Sequence, residues 1–387
     1  MTLHVMSANA PAAVYLRGGD AVSAAGRGRV ALADACLALS TTPAQVRFSS
    51  LGREIELPYF RALDAGAAAD AVLLQVARTA LDDAQLSAAR RRRIGLFVGS
   101  SSGGIHHHER AYAEAYANNA EALPIHRPDQ SRLATWLHQQ LHLDGPSYTI
   151  ATACSSAANA LLYASWMLRE GRLDDALVVG VEIENRLSQQ GFFSMMLATR
   201  ASSRPFDLQR DGIVLGECAA ALVLSREAPT AQPAWRILGG ATLCDTTHPT
   251  NPSADQIAAT LRDALADSAI PAARIGAIKA HGTGTRANDL AEGLGMRECF
   301  GPSLPPFTSI KPVLGHTLGA CGVLETLAFT ACLDRGSVPV TRGYEQPDPE
   351  IGAQPLTATR AWSGGPVLLN YFGFGGNNCA LVLDRER

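Results

Sequence analysis

Twice in this chain a short apolar stretch breaks into a small polar turn and then resumes as a long Ala- and Leu-rich run. The first instance is SYTIATACSSAANALLYASWML, centred on Cys154; the second is PFTSIKPVLGHTLGACGVLETLAFTACL, carrying Lys311 and His316. Alternation of apolar residues before the turn reads as a strand, and the good helix formers after it read as a helix. A strand handed to a helix in both parts of the chain, each time beside a reactive polar residue, predicts layered α/β structure with helices covering sheets.

The rest of the chain fits this rhythm. A helix is expected over 67–83, and RIGLFVGSSSGG (93–104) and LDDALVVGVEIE (173–184) read as buried strands. GIVLGECAAALVLS (212–225) predicts two strands joined as a hairpin at Gly216-Glu217. After REAPTAQPAW, the expected boundary between a first half (1–230) and a second (231–387), come a helix over Gln256–Ser268 and a strand, IGAIKAHGTG, ending at His281. VLLNYFGFGGNNCALVL closes the chain as two strands around a glycine-rich bend. At 387 residues the chain exceeds the usual single-core size, which agrees with two halves.

Bulk composition narrows the function classes. With 47% hydrophobic and 18% charged residues this is a globular chain with a large core, and a net charge of -3 gives no general nucleic-acid affinity. No apolar run reaches the roughly 18 residues of a membrane span, and the N-terminus lacks a secretory layout. Eight cysteines without CxxC pairs suggest neither a zinc site nor a disulfide framework, and fit a reducing cytoplasm.

Cys154 therefore has two readings: a thiol whose thiolate is favoured by a helix N-terminus, or a small buried hydrophobe. His281 in HGTGT (281–285) and His316 in KPVLGH (311–316) each stand beside glycines where a strand ends or a helix starts, the place where α/β active sites gather. A glycine-rich GFGG (373–376) is a third such segment.

The set TACSSA, HGTGT, SIKPVLGHTLGACG and NYFGFGGNN, with RPFDLQRDGIVLGECAAALVL (204–224), resembles the ordered motifs of β-ketoacyl-acyl-carrier-protein synthases of the elongating, Cys-His-His type. The resemblance runs from about Arg93 to Leu383. It implies a thiolase-like, five-layered αβαβα fold of two related halves, and no cofactor or metal, the substrates being carried on the 4'-phosphopantetheine of acyl carrier protein. By matching position, Cys154 would be the nucleophile, His281 and His316 would hold the malonyl thioester carbonyl, and Lys311 would be the active-site lysine with Glu325 as its acid. Phe374 would gate the site and lend a backbone N–H to an oxyanion hole. Thr283, Thr285 and Thr250 would grip the pantetheine arm, and Asp289 and Glu292 would be structural. Arg61, Arg200 and Arg204 would meet the acyl carrier protein. The family's quaternary pattern implies a homodimer, or a heterodimer with a related ketosynthase-like subunit.

Several features depart from that pattern. The opening AVYLRGG is shorter and poorer than the family's first strand and turn, and ARRRR (89–93) reads as a solvated helix end. HHHER (106–110) is a weak metal motif because adjacent histidines diverge on a regular element. Ser102 falls where a bulkier residue often limits the acyl pocket, which suggests a long or rigid chain and a secondary polyene, polyketide or pigment pathway. A thiolase would need a second cysteine, but Cys379 follows the GFGG loop inside a strand. An initiating synthase would carry asparagine in place of His316. A chain-length factor, acting as a partner rather than a catalyst, would lack the nucleophile.

Overall fold

The computed structural model describes residues 13–50, 52–64, 68–119, 129–230, 233–248 and 250–386. The chain runs β1 (Val14–Ser23), β2 (Gly26–Arg27), α1 (Gly28–Ala38), β3 (Ala44–Ser50), β4 (Arg53–Phe60), α2 (Ala69–Asp83), α3 (Ala88–Arg93), β5 (Gly95–Gly99) and α4 (Ile105–Ala117). It continues through α5 (Arg132–Gln140), β6 (Ser147–Ile150), α6 (Ser156–Arg169), β7 (Asp175–Glu182), α7 (Arg186–Ser194), β8 (Leu215–Gly216) and β9 (Cys218–Ser225). The remainder is β10 (Trp235–Cys244), α8 (Ala254–Ser268), β11 (Ala277–Lys279), α9 (Arg286–Phe300), β12 (Phe307–Thr308) and α10 (Lys311–Leu314), then α11 (Cys321–Asp334), β13 (Ser337–Val338), β14 (Arg360–Ala361), β15 (Val367–Gly373) and β16 (Asn377–Arg385).

The main sheet reads β12-β11-β15-β16-β10-β1-β9-β7-β5-β6. Cut between β10 and β1, it falls into two five-stranded sheets with one plan. Numbered along the chain within each half, both run 3-2-4-5-1, and in both the 2–3 and 2–4 pairs are parallel while the 4–5 and 5–1 pairs are antiparallel. Among the described residues, Val14↔Ile237 and Tyr15↔Arg236 join the two sheets at the seam. The order of elements thus demonstrates a duplication that the sequence only hints at.

Layering follows from which faces are apolar. Helices α6 and α11 pack on each other and touch strands of both sheets, whereas α2 and α5 cover the first sheet and α8 covers the second, with α9 against α8. This makes five layers, αβαβα. A helix between two sheets has no wet side, so α11 is buried on every face from Cys321 to Leu333. For the same reason β7 and β9, covered on both sides, are buried at every residue. Each fully buried Leu or Phe in this core contributes about 1.5–3 kcal/mol.

The sequence expectations hold for the helices and most strands, with four differences. The expected helix starts at Ala69; Ala67 and the first 12 residues lie outside the described residues. AVYLRGG is not an impoverished start but most of a ten-residue strand at the seam of the two sheets. β11 ends at Lys279, two residues before His281. The hairpin at Gly216-Glu217 does not form: β8 pairs in parallel with β4, while β9 belongs to the main sheet. The reason is Glu217, whose buried carboxylate accepts the N–H groups of Ala62, Leu63 and Glu184 at 3.0 Å each and so holds the chain between the two sheets.

Candidate active site

Cys154 sits in a single 3-10 turn, Ala153–Ser155, between β6 and α6. Ala153 has φ 49°, a left-handed conformation that costs an alanine energy, so the chain turns sharply just before the sulfur. Ser156 Oγ accepts the Thr152 N–H at 2.9 Å, and Asn159 donates to Thr152 Oγ1 at 2.9 Å, which locks the turn. The second half repeats the device: Leu318 has φ 44° in the turn Leu318–Ala320 that leads into α11. There Cys321 Sγ donates to the Cys154 carbonyl at 3.1 Å, pinning the two helix starts together.

The loop after β11 carries His281 and is held by two acids of α9. Glu292 accepts the His281 and Gly282 N–H groups at 2.7 Å each, and Asp289 accepts those of Thr283 and Gly284 at 3.0 and 3.1 Å. His316 is pinned through its backbone, donating to Val214 at 2.8 Å and accepting from Gly216 at 3.1 Å. Cys154, His281 and His316 open together on one cleft of about 340 Å³, with Thr250, Thr283, Thr285 and Phe374 also on its wall. The two imidazole centroids lie 5.3 Å apart with their planes at 85°. Phe374 stacks on Phe192 at 5.6 Å, and its backbone N–H donates to the Cys154 sulfur.

Beneath the histidines lies a buried triad of charges. Glu325 of α11 takes Lys311 on one oxygen and Lys279 on the other, the latter at 2.6 Å. Lys279 also donates to the Asn370 carbonyl at 2.7 Å, and its ammonium stands 3.6 Å from the centroid of the Tyr371 ring. Two ammonium groups for one carboxylate leave net positive charge there. Burial first, and then Lys311, hold both His281 and His316 well below the usual imidazole range. Both rings are therefore neutral at pH 7. Burial also pushes the Cys154 thiol well up, outweighing the downward pull of Lys311 and of the Phe374 N–H. The helix N-terminus does not win here, and the thiol is the resting form.

Other sites expected from the sequence lie elsewhere. Ser102 is not on the cleft: its hydroxyl donates to Glu182 at 2.5 Å, because Glu182 is buried under the 100–102 loop and collects its polar groups. Arg61 pairs with Glu184 at 3.1 Å along a separate groove. Arg200 stands over the Phe193 ring at 5.7 Å, next to the cleft-lining Phe192, and Arg204 is 3.7 Å from Glu345. The ARRRR segment is not a merely solvated end: Arg90, Arg91, Arg92 and Arg93 pair with Asp175, Asp82, Asp144 and Asp174, fastening α3 to its surroundings. Nor do the neighbouring histidines of HHHER diverge, since the His106 and His107 rings are 4.0 Å apart and Asp70 stands beside them. Sequence reasoning missed Lys279 and Glu182. A lysine inside the apolar strand of IGAIKAHG was the one available signal for the first.

Comparison with known proteins agrees with this geometry. The family model of the beta-ketoacyl synthase N-terminal domain matches residues 60–229, and that of the C-terminal domain matches residues 236–345. The chain is 30% identical over 338 residues to the tetracenomycin polyketide synthase ketoacyl synthase alpha subunit of Streptomyces glaucescens, covering 80% of this chain and 79% of that protein. It is equally 30% identical over 334 residues to 3-oxoacyl-[acyl-carrier-protein] synthase 2 of Coxiella burnetii, covering 81% and 80%. Among solved structures, the ishigamide ketosynthase/chain length factor superposes with a TM-score of 0.85 at 27% identity, over 97% of this chain and 99% of that one. A thiolase-like fold of two related halves, a cysteine facing two neutral histidines, and these matches over most of the length lead to one assignment: the chain belongs to the β-ketoacyl synthase family of condensing acyltransferases.

Proposed function

We propose that the chain joins an acyl group to a malonyl unit by decarboxylative Claisen condensation, both substrates arriving as thioesters of the 4'-phosphopantetheine arm of an acyl carrier protein. The observation that carries this reading is the opening of Cys154, His281 and His316 on one cleft, with both imidazoles held neutral. In the first step the Cys154 sulfur attacks the acyl thioester, the carrier thiolate leaves, and the thiol proton ends on the carrier. Sulfur suits both ends of this exchange, since it is a good nucleophile and a tolerable leaving group. Donation from the Phe374 N–H to the Cys154 sulfur fits an oxyanion role for that amide.

In the second step the malonyl carboxylate departs as carbon dioxide and leaves its electron pair on the adjacent carbon as an enolate. Neutral histidines serve as N–H donors to the developing oxyanion, each worth about 3 kcal/mol by analogy with oxyanion-hole donors. The carbanion attacks the acyl carbon, and the tetrahedral adduct expels the Cys154 thiolate, which takes up a proton. Loss of carbon dioxide supplies the electron pair, so none of these steps calls for a metal or nucleotide. Thr250, Thr283 and Thr285 supply the hydroxyls for the pantetheine arm, and Lys311, Lys279 and Glu325 set the field. Glu292 and Asp289 hold the His281 loop. Arg200 and Arg204, with exposed Met195, Met196 and Leu208, offer the carrier protein a basic and apolar rim. We place the boundary between the two halves, 1–230 and 231–387, between β9 and β10. The relative in Streptomyces and the ketosynthase/chain length factor structure favour polyketide-type chains and a paired assembly, a homodimer first and a heterodimer with a related ketosynthase-like chain as the alternative; we propose the cytoplasm as its location. No helix of the described residues is long and apolar enough to cross a membrane.

The test is condensation by the purified chain supplied with acyl- and malonyl-carrier protein. Product is expected from the wild type, and none from Cys154→Ala; condensation by Cys154→Ala would show the mechanism to be wrong.

A further inference from the structure

The groove that holds Arg61 contains a cluster with no part in the condensation. Asp70 lies in the first turn of α2, and His106 and His107 lie in the first turn of α4, so the cluster bridges two helices from distant parts of the chain. The His107 Nε2 is 3.0 Å from Asp70 Oδ1. One ligand atom from each of the three residues lies within 4.8 Å of the other two. Both ring nitrogens of His106 are buried and have no hydrogen-bond partner, an uncommon state for a polar side chain. Glu109, the remaining acid of the HHHER segment, is already spent: it accepts the Arg186 and Leu187 N–H groups at 2.9 and 2.7 Å at the start of α7.

We propose that Asp70, His106 and His107 form a binding site for a divalent transition ion of the zinc type. Two imidazoles and one carboxylate are a donor set suited to Zn²⁺, and three protein ligands leave a fourth position for water. Bonds of about 2.0–2.1 Å at a tetrahedral centre place neighbouring donor atoms about 3.3 Å apart. The observed 3.0 Å separation of His107 and Asp70 is already near that edge, so an ion replaces their hydrogen bond with little movement. The ion also gives the orphaned His106 nitrogen its partner. The other Asp70 oxygen lies 3.9 Å from the Arg132 guanidinium, within ion-pair reach. An ion here ties α2 to α4 on a surface apart from the cleft.

Cobalt(II) is the probe, added to chelator-treated full-length protein and followed by absorption and by calorimetry. One ion per chain is expected, with only the weak visible bands of nitrogen and oxygen ligands. Asp70→Asn and His107→Gln, which nearly keep side-chain size, should each weaken binding at least about 10-fold. Zinc should raise the melting temperature of the wild type and leave that of the variants unmoved. Condensation should be unchanged in both, since neither residue touches the cleft. Absence of binding, equal binding in the variants, or the intense near-ultraviolet absorption of a cobalt–thiolate bond would each overturn the site.

Discussion

In the proposed condensation the chemistry turns on the charge state of two rings, and burial first, then the positive charges of Lys311 and Lys279, set that state. Because His281 and His316 have folded-state pKa values well below 6.5, the unfolded chain binds more protons than the folded one as the solution is acidified. Their contribution to stability is therefore present above pH 6.5 and is lost as pH falls below it, by up to about 1.4 kcal/mol per pH unit for each ring. Glu292, raised to about 6 by burial, works in the opposite direction, so the comparison has to be with a variant. Urea unfolding at pH 7.5, 6.0 and 5.0 should show the wild type losing stability relative to His281→Asn/His316→Asn; parallel curves would refute the shift. Lys279 offers a second handle. Replacing it by methionine leaves Glu325 paired with Lys311 and removes one of the positive charges acting on both rings. Their pKa values should rise, and the acid limb of the kcat/KM profile should move to higher pH with its plateau little changed. An unmoved limb would mean that burial alone sets the rings.

At the level of elements, the duplication can be tested through one glycine pair. Gly18 in β1 and Gly239 in β10 stand at the same place in the two halves, each beside the one register shift of its strand. A Cβ at Gly18 would come within 2.4 Å of the Ala84 nitrogen at the end of α2, and one at Gly239 within 2.5 Å of the Ser268 nitrogen at the end of α8. Both neighbours are backbone and cannot swing aside. Gly18→Ala and Gly239→Ala should each cost about 1–3 kcal/mol, as overpacking does, and the two costs should add because the sites are far apart. Gly191 inside α7 is the control, having no atom within 4 Å of its would-be Cβ; Gly191→Ala should raise stability by about 0.5–1 kcal/mol. Equal effects at all three positions would count against the packing argument. This pair also marks how far the sequence could be read. The strand–turn–helix runs around Cys154 and His316 announce themselves because strand and helix periods are local. Motif order then supplied Cys154, His281 and His316 and the acids of α9. Lys279, Glu182 and Glu217 stayed hidden because each acts through a partner 46, 80 or 155 residues away, a distance no local pattern encodes. The hairpin failed for the same reason: Gly216-Glu217 has turn chemistry, but a distant set of N–H groups claims the glutamate.

For the whole molecule, the two ends of the main sheet are unequal. β12 is two residues long and buried, a protected edge, whereas β6 exposes Ser147 and Tyr148 and, among the described residues, has a neighbour on one side only. On β6 the carbonyls of Pro146 and Ile150 point to β5, donated to by Leu96 and Ser100. Alternation along the strand then turns the backbone N–H and C=O of Ser147 and Thr149 outward. Two such edges brought together antiparallel about a two-fold axis satisfy each other's groups and close the sheet, the isologous contact expected of a dimer. The chain should therefore sediment as a dimer, and Ser147→Pro, which removes one outward N–H and none that β5 uses, should shift it toward monomer with near-ultraviolet circular dichroism retained. Since Cys154 follows β6 by four residues, the same variant should lose condensation in step with dimer, recovering at high protein concentration. A wild-type monomer that condenses at full rate would remove the argument, and a variant that stays dimeric would move the interface to another face.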